Sequence, residues 1–219
     1  MNPQTLSVLF LVLFAFSTLG ELVCCFMEWE TPRKAIKPFC VAFLAVSFLL
    51  VRPDLYLVGI GLILGAIGDL LLVFKHKVWT FVVGAFSFLL NHVCFILAYI
   101  FLLPSRPIGL WISMAVLVVA VFLSGFFALR KVIKTPPLRA GGVLYFAAIL
   151  CDLLLAIFAL GLTQNPAFIS SIVGMVFFVG SDVYLTKTLF VRDDRRRDFY
   201  IMLTYLLAQG LVALGFFLC

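Results

Sequence analysis

Residues 55–74 read LYLVGIGLILGAIGDLLLVF, an unbroken apolar run carrying four glycines and a single charge, Asp69. As a helix rising about 1.5 Å per residue, a run of this length spans the ~30 Å hydrocarbon core of a bilayer. A carboxyl inside such a run is costly, and it marks a functional position by default. Gly61, Gly65 and Asp69 recur every four residues and so share one helical face. Small residues at that spacing let a neighbouring backbone come close, so Asp69 continues a packing face and points into a bundle, not at lipid.

The same kind of run recurs on both sides of this one, each bounded by charge, proline or a polar cluster. The expected spans are 4–26, 36–51, 55–74, 78–103, 108–130, 140–162, 167–191 and 199–219. The second is short for a span and is expected to tilt or to lie partly in the interface. With 65% hydrophobic and 12% charged residues and a mean hydropathy of +1.24, the chain has too little polar surface for a water-soluble domain. The fold class expected is all-α, a polytopic membrane protein with eight transmembrane helices forming a single domain over 1–219. Short alternating strands are absent, which excludes a β-barrel. The first run lacks a basic start and a small-residue cleavage site, so it reads as a retained helix. The 25 Phe are packing and lipid-facing residues.

The basic residues set the expected orientation. Between odd- and even-numbered runs lie Arg33, Lys34 and Lys37; Lys75 and Lys77; Arg130, Lys131, Lys134 and Arg139; and Arg192, Arg195, Arg196 and Arg197. The alternate loops hold Arg52 and Arg106 alone. That bias puts the odd loops in the cytoplasm and both termini on the other side. The net charge of +6 is therefore topology, not nucleic-acid binding. The six cysteines lie in or beside apolar runs without metal-ligand spacing and read as small buried hydrophobes. There is no Gly-rich phosphate loop, no Gly-x-Ser-x-Gly elbow and no His-Glu-x-x-His.

Four further ionisable residues sit in the apolar runs. Asp182 follows Ser170, Gly174 and Phe178 on one face of the seventh, with Ser181 beside it. Asp152 lies between Ala148 and Ala156 in the sixth, where an interhelical hydrogen bond and a site role are both open. His92 shares a side of the fourth with Phe88, Phe95 and Tyr99, and Asn91 is adjacent. Glu21, near the end of the first, is placed to reach headgroups. Counted at 1.5 Å per residue, Asp69 lies roughly 8 Å and Asp182 roughly 14 Å from the basic end, with His92 near mid-membrane. Gly68-Asp69-Leu-Leu-Leu also echoes Ser181-Asp182-Val-Tyr-Leu, consistent with a 4+4 parallel internal repeat.

The ordered set of motifs resembles a known family. Lys37-Pro38 comes first, then Gly68-Asp69, Phe81-x-x-Gly84-x-x-x-Phe88-x-x-x-His92, Tyr145, Gly180-Ser181-Asp182 through Phe190, and Tyr205-Leu-Leu-Ala-Gln209. In order and spacing this is similar to the YhhN-like membrane proteins, the family that includes lysoplasmalogenase, from about Lys37 to the carboxyl end. The resemblance implies an eight-helix enzyme that cleaves the vinyl-ether bond of a lysophospholipid, releasing a fatty aldehyde and glycerophosphoethanolamine or glycerophosphocholine. It implies Asp69 and Asp182 as the catalytic pair, with Lys37, His92, Tyr145 and Gln209 nearby. Ser181 and Asn91 join them as substrate-binding candidates. Phe95 stands three after the histidine where the pattern leads one to expect Tyr, which removes one hydroxyl.

Vinyl-ether hydrolysis protonates an alkene carbon and lets water capture the resulting oxocarbenium ion. It needs one carboxyl protonated and one carboxylate, a division that buried carboxyl pairs achieve. His92, Tyr145 and Gln209 suit orientation of water or of the glycerol oxygen, and Lys37 suits a phosphate headgroup. Neither a cofactor nor a metal is expected; the expected partners are a lysophospholipid substrate and membrane lipid. The host membrane is a bacterial inner membrane or, alternatively, that of the endoplasmic reticulum. A proton-coupled transporter is the competing class, because buried acids with a histidine also line ion pathways. In a third reading the acids only pin helices together in a lipid-binding or scaffold protein.

Overall fold

The computed structural model describes residues 2–74, 78–130, 135–190 and 194–219. Lys75, Lys77, Lys131, Lys134 and Arg192 of the basic loops lie outside the described residues. The elements are α1 (Pro3–Phe26), α2 (Glu30–Val51), α3 (Tyr56–Val73, after a 3-10 turn at Pro53–Leu55), α4 (Val78–Leu102), α5 (Ile108–Leu129), α6 (Pro136–Thr163), α7 (Ala167–Phe190) and α8 (Arg197–Leu218). Among the described residues there are eight helices long and apolar enough to cross a membrane, and no strand.

Two helices start earlier than their apolar runs. The α2 helix begins at Glu30, so Arg33, Lys34 and Lys37 are helical, and Pro38 lies inside α2 instead of opening it. Its polar first turns persist because their charges are paired. Glu30 Oε2 lies 3.3 Å from Lys34 Nζ, Arg33 bonds Asp198 of α8, and Lys37 turns inward. The α6 helix begins at Pro136, where the missing N–H costs nothing, and this makes Arg139 helical too. Arg139 is buried, its guanidinium 4.8 Å above the Phe126 ring of α5. Apolar run-length detects hydrocarbon only, and so misses helical turns whose charges are satisfied by neighbours.

Consecutive helices pack as hairpins, α1 on α2, α3 on α4 and α7 on α8. The α2–α3 and α6–α7 contacts join them, and the halves meet where α2 reaches α8 and α4 reaches α6. By contrast, α5 docks chiefly on α6 and turns Trp111, Ile112, Val116 and Phe122 outward. Polar contacts tie the apolar helices together. Ser7 and Ser47 exchange hydroxyl-to-carbonyl bonds of 3.1 and 3.0 Å between α1 and α2. Arg52, one of the two basic exceptions to the charge bias, donates to the carbonyls of Phe216, Phe217 and Cys219, which closes the carboxyl end of α8.

Close approach rests on glycine at two matched places. A Cβ on Gly61 would stand 2.8 Å from the Phe95 ring, and one on Gly174 would stand 2.9 Å from the Ala208 carbonyl oxygen. A shift of 113 residues carries Gly61 and Phe95 onto Gly174 and Ala208, and carries Asp69 onto Asp182. The α3–α4 and α7–α8 hairpins thus pack in the same register.

Candidate functional site: carboxyls inside the bundle

The stripe of small residues on α3 faces the interior, as its spacing predicts, and Asp69 at its end is 1% exposed. Two other helices supply its partners. Lys37 of α2 brings its ammonium 3.4 Å from Asp69 Oδ1, and the Tyr205 hydroxyl of α8 donates to Oδ2 at 2.8 Å. Lys37 is thus turned into the bundle onto a carboxylate, whereas its position near a helix end had suggested a headgroup contact. One turn further along α8, Gln209 Nε2 donates to Asn91 Oδ1 of α4 at 3.1 Å. Gly65 makes room for that pair, since a Cβ there would come within 3.2 Å of the Asn91 oxygen and 3.3 Å of the Gln209 nitrogen.

The second carboxyl, Asp182 of α7, accepts a 2.8 Å hydrogen bond from the Tyr145 hydroxyl of α6. His92 lies alongside, with its ring 5.9 Å from that of Tyr145 and 4.5 Å from that of Phe178. The Nδ1 atom of His92 meets Asp152 Oδ2 at 2.9 Å, and both side chains are fully buried. Phe178 also packs on Tyr205 at 5.6 Å. Tyr205, Phe178, His92 and Tyr145 therefore form a continuous aromatic bridge between the two aspartates.

Each aspartate is bonded to a phenol, and no hydrogen bond joins Asp69 to Asp182 among the described residues. Their surroundings are also unlike, because Asp69 has an ammonium and a phenol while Asp182 has a phenol and lies within electrostatic reach of His92. Ser181 is buried, and its hydroxyl donates to the Ile201 carbonyl at 3.2 Å, so it serves α7–α8 packing. Phe95 is fully buried and packs edge-on against His92 at 6.4 Å.

Glu21 is fully buried and does not reach headgroups. Its Oε1 accepts from Cys25 Sγ at 3.6 Å, its Oε2 has no protein partner, and Lys37, Arg33 and Asp69 are within electrostatic reach. The snorkelling expectation fails because α2 and α8 pack over that end of α1. Tyr205, the hydroxyl on Asp69, carried no assigned role in the sequence reading. The available signal was its place four residues before Gln209, on the same face of α8.

Eight apolar helices enclosing carboxyl–phenol, carboxyl–ammonium and imidazole–carboxyl pairs make this an all-helical membrane protein with a polar interior. The chain belongs to the YhhN family, whose model matches residues 33–216, most of its length. Glu21 and the whole of α1 precede the matched region. No curated protein and no solved structure matches the chain.

Proposed function

We propose that the protein is a lysoplasmalogenase-like hydrolase that cleaves a vinyl ether by carboxyl catalysis inside the membrane. The observation that carries this reading is the pair of buried aspartates, each held by a tyrosine hydroxyl and linked through Phe178 and His92, in a YhhN chain. Asp182, whose bonded partner is a neutral phenol, is the proton donor. Its carboxyl proton goes to the alkene carbon one removed from the ether oxygen, and the π pair forms the new C–H bond. Positive charge then develops on the carbon bearing oxygen, where Asp69, held as an ion pair by Lys37, opposes it. Water adds to that carbon and gives up a proton to a carboxylate. The hemiacetal then collapses: its hydroxyl gives up a proton to a carboxylate as the C=O forms, and its C–O bond to glycerol breaks as the glycerol oxygen takes up a proton from a carboxyl. The sum is vinyl ether plus water giving aldehyde plus alcohol. Tyr145, Tyr205 and the Gln209–Asn91 pair hold the carboxyls and the water-facing groups in place.

The unbroken helices α3, α4, α7 and α8 around these groups favour this reading over a carrier, which commonly exposes backbone at a helix break. The charge bias supports a cytoplasmic Lys37 end, where a phospholipid headgroup would enter. The experiment is incubation of purified protein in detergent with a lysoplasmalogen in D2O. The expected product is a fatty aldehyde carrying one deuterium on the carbon next to its carbonyl. No aldehyde, together with proton-coupled solute uptake into protein-containing vesicles, would replace the hydrolase by a transporter.

A further inference from the structure

Beyond the two aspartates, a second set of polar groups lies deeper between α4, α6 and α7. His92 Nε2, Asp152 Oδ1, the Tyr99 hydroxyl and the Ser171 hydroxyl are each buried without a protein hydrogen-bond partner. Tyr99 lies within electrostatic reach of Asp152, and its hydroxyl lies beside that of Ser171 without meeting full hydrogen-bond geometry. Buried polar atoms are almost always paired, and where protein does not pair them ordered water does. Asp152, Tyr99 and Ser171, one from each of the three helices, lie within reach of one another and offer what a water site requires: a polar lining with several donors and acceptors.

The packing reserves room for these hydroxyls. A Cβ on Gly215 of α8 would stand 1.9 Å from Ser171 Oγ and 3.1 Å from Ser170 Oγ, so glycine there is what lets both serines face α8. Ser170 in turn lines a surface pocket of about 360 Å3 with Asn165, Pro166, Ala167 and Leu218, at the α6–α7 end of the bundle. From this pocket the polar groups run through Ser170, Ser171, Tyr99 and Asp152 to His92, whose ring touches Tyr145 on Asp182.

We propose that ordered water occupies the interior between Asp152, Tyr99 and Ser171, and that it connects the Asn165–Ser170 pocket with His92 beside the carboxyl site. Water then enters from the end of the bundle opposite to Lys37, so lipid and water reach the aspartates from opposite sides. Use of this water for hydrolysis rests on the lysoplasmalogenase-like activity proposed above; its presence does not.

Hydroxyl-radical footprinting of the purified protein in detergent, read residue by residue by mass spectrometry, tests this. Tyr99 and Phe48 are both fully buried, and Phe48 lies in the apolar α2 core. Normalised for intrinsic reactivity, Tyr99 should be oxidised several-fold faster than Phe48, because radicals form from the water bound beside it. Ser171→Val should lower Tyr99 oxidation roughly threefold or more by removing a polar lining group. The added methyls crowd Gly215, so Ser170→Val at the mouth serves as the second variant with the same expectation. Tyr99 oxidised no faster than Phe48 in the unaltered protein overturns the proposal. Fast Tyr99 oxidation in a protein that releases no aldehyde upholds the water site and removes the hydrolase reading instead.

Discussion

Asp69 and Asp182 occupy like positions on two helices but keep unlike company, and the difference is measurable residue by residue. Lys37 is the cation on Asp69. Lys37→Met leaves a buried carboxylate unpaired and should cost about 3–5 kcal/mol of stability, seen as a lowered unfolding midpoint in denaturant. Adding Asp69→Asn should recover most of that loss, whereas additive losses would mean that the two groups are not paired. Tyr145→Phe and Tyr205→Phe each remove one phenol-to-carboxyl hydrogen bond, worth about 1.5–3 kcal/mol. Each should therefore lower the unfolding midpoint and, in protein that still elutes as the folded species, slow aldehyde release by about 10- to 100-fold. An unchanged rate in both would detach the tyrosines from the chemistry. The two aspartates were legible in the sequence because a carboxyl on a small-residue face at membrane depth is too costly to be kept without a role. Their partners were not, because which helix stands beside which is a property of the bundle. Lys37 and Glu21 show the point: both lie near helix ends and read as headgroup contacts, yet neighbouring helices cover them and turn them inward.

Among the elements, the spans were legible nearly to their ends, since hydrocarbon length fixes a membrane helix. The exceptions, α2 and α6, extend into polar turns whose ion pairs and cation–aromatic contact come from other helices. The shift of 113 residues that carries Gly68-Asp69 onto Ser181-Asp182 also carries the Gly61–Phe95 approach onto the Gly174–Ala208 approach. These contacts predict sharply different responses to one added methyl. Gly174→Ala would press against the backbone of Ala208 and Val212 at 2.9 Å, and should cost about 1–3 kcal/mol as α7 and α8 are forced apart. Gly141→Ala, with nothing within 4 Å, should be neutral or stabilise by up to about 1 kcal/mol through helix propensity. Equal effects of the two in thermal unfolding would contradict the close α7–α8 approach.

For the whole molecule, an even number of spans places both termini on one face, and the charge bias leads us to propose that this face is non-cytoplasmic. In sealed membranes, a protease site inserted at Asn165 should be cut only from the non-cytoplasmic side, and one inserted at Arg195 only from the cytoplasmic side. The reverse pattern would invert the lipid and water entrances. Composition and run-length made the membrane architecture readable, and the family motifs pointed to the two aspartates. The enclosed network of Asp152, His92, Tyr99 and Ser171 emerges only from three helices meeting. What binds residue, helix and bundle together is the proposal that both aspartates act on one substrate. The decisive measurement is aldehyde release from a lysoplasmalogen by purified Asp69→Asn and Asp182→Asn variants that elute and melt like the unaltered protein. Each single substitution is predicted to lower the rate by at least ~100-fold. A wild-type rate in either variant would contradict the account.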